Sequence, residues 1–412
     1  MQTPSPALLG DRRDSLPILA LSALFLLATA CTFTSLGVVL PRMRQALGLS
    51  WSEAGLCFTA MALGCGATAY APSWLIARIG VRRTAWTAAA VFAAAFLMLA
   101  AATGAPILYA GCALAGFGFS LAAPVLGEFV IARASPRPAM VLGVYYAAGS
   151  MGGVIGPWLP WLGSHAFASW RTYWLALAAC VGVAGVLIGL ALREPEGVAA
   201  GDGAGWSVRQ ALRSPPLYIL WAGFLVFLAA ESTLNTFAFA HLAAHGVGAA
   251  GTTLFLSASA LAAVGGRALG GVIADRFDAK GLLIVSLAAL SAGLFGLALP
   301  GLAAFAMVYA LLIGFGFGAS LVASTVLLLR YYGVGPNLSL FGMLNTAGVG
   351  AAFAPLLAGR IKDAFGSFDG AMIALGLAAA GVLAATVCLP SRTIQIQQPK
   401  RPASGDPCRQ SA

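Results

Sequence analysis

Twelve apolar blocks of about 20 residues or more, divided by short polar punctuation, run through this chain. Each is long enough to cross a hydrocarbon core of about 30 Å as a helix rising about 1.5 Å per residue. Backbone amides cannot go unpaired in lipid, and the two-residue alternation of a barrel strand is absent. The blocks therefore predict helices, and the chain an all-α membrane protein. Composition agrees: 9% of the 412 residues are charged, against about 25% in a soluble domain. The 51 glycines suit helices that approach closely in a bilayer.

The spans are expected near 17–40, 52–76, 84–102, 106–132, 140–163, 172–192, 216–242, 250–274, 281–299, 303–330, 338–361 and 369–389. With both termini cytoplasmic, 17 of the 23 Lys and Arg residues fall on the inner side and 5 on the outer, while Arg267 lies inside span 8. That bias fixes the orientation, as expected of a multi-pass bacterial inner-membrane protein. The net charge of +10 therefore marks topology rather than a nucleic-acid partner. Arg12-Arg13 ahead of an apolar run ending at Cys31 faintly resembles a secretion signal, but eleven apolar blocks follow, so span 1 is expected to stay uncleaved. The seven cysteines show neither metal nor disulfide spacing, and no cofactor is expected.

An internal repeat divides the chain. Arg78 precedes Gly116-Phe-Gly-Phe119 by 38 residues, and Arg276 precedes Gly314-Phe-Gly-Phe317 by the same 38, an offset of 198 between copies. Two pseudo-symmetric six-helix bundles follow: an N-terminal bundle over 1–192 and a C-terminal bundle over 216–389. Between them lies a cytoplasmic linker, 193–215, ending in a short amphipathic helix. The polar, Pro-containing tail 390–412 is expected to be disordered.

Twelve spans in a 6+6 repeat, with Gly271-Val-Ile-Ala-Asp275-Arg276-Phe-Asp-Ala-Lys280 between spans 8 and 9, resemble the major facilitator superfamily and its G-x-L-A-D-R-x-G-x-K loop. The first-half copy, Ser73 to Arg83, has Ala77 where the Asp is expected. The resemblance implies a major facilitator fold and a cytoplasmic latch made by Asp275 and Arg276; in the first half, Glu128 near the inner end of span 4 is placed to accept Arg78 or Arg82 instead. For the three first-half arginines, 78, 82 and 83, plain topology charge is an equal alternative.

Leu36-Gly-Val-Val-Leu-Pro41, Ser169-Trp-Arg171, His241-Leu-Ala-Ala-His-Gly246 and Gly266-Arg267-Ala-Leu-Gly-Gly271 are similar to the monocarboxylate and oxalate/formate branch of that superfamily. There the arginine matching Arg267 binds the substrate carboxylate. The chain departs from the branch at Gly348, where oxalate-type members carry lysine. It also has Ala263 where animal carriers have an acid, and no lysine in span 1. Gly143, Gly152, Gly156 and Pro157 in span 5 resemble a motif of drug/proton antiporters, although close helix packing accounts for the same glycines.

Ionisable groups inside a span are costly and point to function. Glu128, Glu231 and Arg267 are the three. Arg267 has a fork of donors suited to a carboxylate. Glu231 is the candidate proton carrier, with an outer gate or packing bond as the alternative. Asn235 lies one turn on, and Tyr145, Tyr146 and Asn345 complete the expected substrate-binding set. His241 and His245 are expected to be exposed, with no metal site. The expectation is thus a monomeric secondary transporter moving a small organic acid, a monocarboxylate held on Arg267, with proton symport. The alternative is a drug/proton antiporter, and three scattered ionisable groups supply no enzyme constellation.

Overall fold

The structure, a computed structural model, describes residues 12–68, 71–123, 125–134, 138–166, 169–192, 208–276, 278–332, 340, 343–344 and 346–389. Asn345, linker residues 193–207 and the tail 390–412 lie outside the described residues, as do the side chains of Asp275 and Arg276. Among the described residues every regular element is a helix. Among these described residues, nine helices are long and apolar enough to cross a membrane by length and composition.

Span 1 combines Arg12–Thr29, a π-helical turn Ala30–Thr34, and Ser35–Leu47. Span 2 starts at Trp51–Ala67 and resumes in the helix Ala71–Ala100, which is broken at Gly80 (φ 82°, ψ 170°) to begin span 3. Ala105–Ala122 and Val125–Ala134 make span 4, Pro138–Ile155 and Trp158–Ala166 span 5, and Trp170–Ala191 span 6. The second half runs through Pro215–Ala244, Ala249–Arg276, Ala279–Leu297 and Leu302–Tyr332 as spans 7 to 10. Span 11 contains Ala347–Ala351 and Ala354–Phe365, and span 12 is Asp369–Val387. Spans 2, 4, 5 and 11 are in pieces, and in spans 5 and 11 proline has a part in it. Pro157 and Pro355 lack the amide a continuous helix would need.

The 198-residue repeat is visible in contacts as well as in sequence. A Cβ on Gly116 would meet the Met61 carbonyl oxygen at 1.9 Å, and one on Gly314 would meet that of Ser259 at 2.0 Å. Gly118 lies against Phe92, and Gly316 against Leu290. Each pair of neighbours is again 198 apart. These glycines therefore set how close span 4 comes to spans 2 and 3, and span 10 to spans 8 and 9. In lipid that close approach, not hydrophobic burial, holds helices together. Gly48 (φ 67°) and Gly246 (φ 83°), the same distance apart, turn the chain after spans 1 and 7.

The halves meet along spans 1, 2 and 5 on one side and 7, 8 and 11 on the other. Their bonds gather toward the end that carries Asp363, the outer end on the positive-inside reading. Asp363 of span 11 accepts from the amides of Trp51 and Ser52 at 3.0 and 2.9 Å, capping the start of span 2. Deeper along the same seam, Thr59 donates to the Ala352 carbonyl at 2.7 Å. Between spans 5 and 8, Trp158 Nε1 donates to Ser257, which donates to the Val154 carbonyl. Glycine again permits the approach. A Cβ on Gly55 would lie 2.4 Å from the Pro355 carbonyl oxygen, and one on Gly37 would overlap that of Asn235.

Candidate functional site

Arg267 sits on span 8 at the seam, half-buried. Gly266 just before it lets span 8 approach span 10, where a Cβ would come within 3.0 Å of the Phe315 carbonyl oxygen. This close approach carries the guanidinium over the Phe317 ring, 5.1 Å from its centroid. Nη1 donates to the hydroxyl of Ser150 on span 5, in the other half. Nε is buried with no hydrogen-bond partner among the described residues. No carboxylate of the described residues lies within ion-pair distance of Arg267. A cation is thus held at the junction of the halves by one neutral hydroxyl and one ring face, with donor capacity left over.

Ser150 also links Arg267 to its surroundings, donating to the Tyr146 carbonyl at 2.9 Å. Tyr146, 37% exposed, gives its hydroxyl to Glu128. Glu128, expected to meet Arg78 or Arg82, is therefore engaged by span 5. Arg78 lies over Trp74 at 4.5 Å and Arg82 over Trp86 at 4.6 Å. The neighbouring Tyr145 sits deeper, although both rings contact Phe25. It is fully buried, its ring 5.0 Å from that of Phe25 and pressed on Gly127, with its hydroxyl unpartnered among the described residues. Adjacent positions on a helix face about 100° apart, which is why one tyrosine reaches the seam side and the other the bundle interior.

Glu231 is half-buried on span 7, with no hydrogen bond or ion pair to any described residue. Its carboxylate is not within ion-pair distance of Arg267. Asn235 is half-buried one turn away. On the same half, Trp221 donates to Thr346 at 3.1 Å. Ser150 and Thr346 were missed from sequence because a small hydroxyl residue in a span resembles packing; only Ser150's position four residues beyond Tyr146 marks it.

Two other expectations meet concrete geometry. Gly152 and Gly156 of span 5 lie against span 1, at the Leu26 carbonyl oxygen (2.4 Å to an added Cβ) and Thr34 Oγ1 (1.9 Å). Packing on span 1 accounts for them. In the loop after span 8, Asp278 caps span 9, and Lys280 donates to the carbonyls of Val387 and Leu389 at 2.8 and 2.6 Å, closing the end of span 12. A cavity of about 570 Å³ lies by Ile79, Gly80, Arg82, Arg83 and Trp86, on the first half and apart from Arg267.

Residues 21–348 match the family model described as Major Facilitator Superfamily. A curated relative, the cyanate transport protein CynX of Escherichia coli (strain K12), is 32% identical over 150 residues. That match covers 36% of this chain and 39% of the relative, so well under half of the relative's length is spanned. Among solved structures, a point mutant of the nucleoside transporter NupG superposes with a TM-score of 0.76 at 13% identity, over 90% of this chain and 99% of that one. A bacterial homolog of the human lysosomal transporter Spinster, inward-facing and unoccupied, gives 0.70 at 17% identity over 92% and 95%. At these identities the likeness is one of fold.

Proposed function

The chain belongs to the Major Facilitator Superfamily, and we propose that it is a secondary transporter for a small monovalent organic anion, most simply a monocarboxylate, moved by alternating access. It is a transport protein rather than an enzyme. The observation that carries the substrate proposal is Arg267: a guanidinium at the seam of the halves, bonded to Ser150, with no carboxylate partner among the described residues. A half-buried guanidinium with no carboxylate in contact has donors to spare for an anionic ligand, and the planar fork matches two oxygens at once. The curated relative carries a small anion in its name, cyanate, which supports a site for a compact monoanion. Glu231 is proposed as the proton carrier, since it is an ionisable group within span 7 and its carboxyl is unpartnered among the described residues. Tyr146, Asn235 and Asn345 would shape the remaining cavity, and Asp275, Arg276 and Arg82 the inner latch.

The test is uptake into proteoliposomes of cyanate, formate, lactate and pyruvate, with and without a pH gradient. Saturable anion uptake, lost in Arg267→Ala, is expected. Export of amphipathic cations with no anion uptake would replace this proposal with the antiporter reading.

A further inference from the structure

At the outer end of the second half, span 7 and the start of span 12 bring together His241, His245 and Asp369. The two histidines are four residues apart on one helix and so share a face. His241 is 1% exposed, contrary to the exposed position expected from sequence. Its Nε2 lies 2.9 Å from the Leu297 carbonyl oxygen. A carbonyl only accepts, so Nε2 carries the hydrogen and Nδ1 of the neutral ring carries the lone pair. By the same argument His245 Nδ1, 3.0 Å from the His241 carbonyl oxygen, is the donor and its Nε2 is free. Both lone-pair nitrogens face one carboxylate oxygen. Asp369 Oδ1 is 3.8 Å from His241 Nδ1 and 3.4 Å from His245 Nε2. That oxygen is buried and has no hydrogen-bond partner among the described residues.

Three acceptors converging without a donor repel one another unless a positive species sits between them. We propose that these residues form a binding site for a divalent transition metal of the zinc class, ligated by His241 Nδ1, His245 Nε2 and Asp369 Oδ1. The spacing favours a metal over a shared proton. A charge-assisted hydrogen bond would draw nitrogen and oxygen to about 2.7–2.9 Å, shorter than either distance here. A tetrahedral ion with bonds of about 2.0–2.1 Å holds its ligand atoms roughly 3.4 Å apart. The three ligand atoms lie within 4.8 Å of one another, so a small inward shift of the rings completes the set. The Leu297 and His241 carbonyls already fix both ring tautomers, as outer-shell partners of metal-bound histidines do. Soft nitrogen donors select zinc-like ions over magnesium or calcium. Lys362 opposes a cation here, but its ammonium is held by the Gly366 carbonyl and lies 5.4 Å from the Phe368 ring. His245 (23% exposed) and Asp369 (35%) leave an entry path and a fourth position for water.

The site's placement gives it reach. Asp369 follows Phe368, whose ring stacks on Phe237 at 4.6 Å and meets Trp51 of the first half edge-on at 5.3 Å. A metal tying span 7 to span 12 fixes that aromatic contact across the seam.

The experiment is titration of the purified full-length protein in detergent. The background is Cys180→Ser, Cys388→Ser and Cys408→Ser, which removes the two exposed thiols and the tail thiol as competing ligands. Calorimetry with Zn2+ should give one equivalent, Co2+ should produce a tetrahedral visible spectrum, and Mg2+ should do neither. Affinity should fall at least ~10-fold from pH 7.5 to 5.5, because protons compete with the metal for the histidine nitrogens. His245→Ala should abolish the Co2+ spectrum. Asp369→Asn keeps the side chain's shape should the histidine variant misfold, and should weaken binding at least ~10-fold. Absence of a saturable one-equivalent site in the parent, or binding unchanged in Asp369→Asn, overturns the proposal.

Discussion

Arg267 of span 8 donates to the hydroxyl of Ser150 of span 5, joining the two halves at mid-span through a neutral acceptor. An ion pair there would consume the arginine's charge. A hydroxyl positions it and leaves the charge available. Arg267→Ala should therefore weaken apparent anion affinity roughly 10- to 150-fold, the range of about 1.5–3 kcal/mol for one charged hydrogen bond. Arg267→Lys should recover part of it, because a point charge remains but the fork is lost. Substrate-induced thermal stabilisation across a concentration series measures both.

Ser150 is a positioning residue. Ser150→Ala should raise the apparent dissociation constant about 5-fold, corresponding to roughly 1 kcal/mol for one hydrogen bond, with the helix intact. Ser150→Thr keeps the oxygen and should restore most of the loss. A fall in maximal uptake at unchanged affinity would mean that Ser150 acts on the movement of the halves instead.

Glu231→Gln removes a titratable proton while preserving size. Uptake driven by an imposed pH gradient should fall to the level seen without one, whereas substrate-for-substrate exchange persists. Retention of gradient-driven uptake would remove Glu231 from the proton pathway.

Asp363 makes the outer seal respond to pH in a definite direction. Burial pushes its carboxyl up, but the Ser52 amide and side chain, the Trp51 amide and the Arg44 charge outweigh that and hold it below the usual carboxylate range. A depressed pKa means the bonds contribute fully above the ordinary carboxylate range and fade as pH falls through the lowered value. The seal should thus be indifferent to pH between 5 and 8, whereas Asp363→Asn should loosen it throughout. A reporter cysteine at Ala352 in a cysteine-free background, labelled by an impermeant maleimide from outside, reads the difference as faster modification.

Gly55 tests closure sterically. Its missing Cβ leaves room for the Pro355 carbonyl oxygen, 2.4 Å from where that atom would be. Gly55→Val should keep the halves apart at this end, cutting transport at least ~10-fold while the Ala352→Cys reporter becomes more reactive. Normal transport would show that the seam accommodates the extra methyl groups.

Much of the fold was legible from one pattern, apolar length. The repeat was legible because the glycines that set helix approach recur as Gly116/Gly314 and Gly118/Gly316, and the same contacts appear in space. Breaks in spans 2, 4, 5 and 11 were not, since hydropathy averages across a short interruption of the helix. Arg267 stood out because lipid makes a charge conspicuous. Ser150 did not, since its role depends on a partner in the other half. His241 and His245 carried a helical spacing, but their meaning changed only when span 12 brought Asp369 beside them. The Tyr145–Tyr146 pair shows the limit of sequence at single-residue scale: neighbours in the chain share the Phe25 ring, yet one is fully buried and the other exposed.

The Asp363 cap has a kinetic consequence. The two amides it receives belong to the first turn of span 2, where water can replace it as soon as the halves part. Glycine contacts between backbones add fit but little adhesion once separated. A lock assembled from such parts exchanges its bonds for water as it parts, so opening at this end should need no energy source beyond thermal motion.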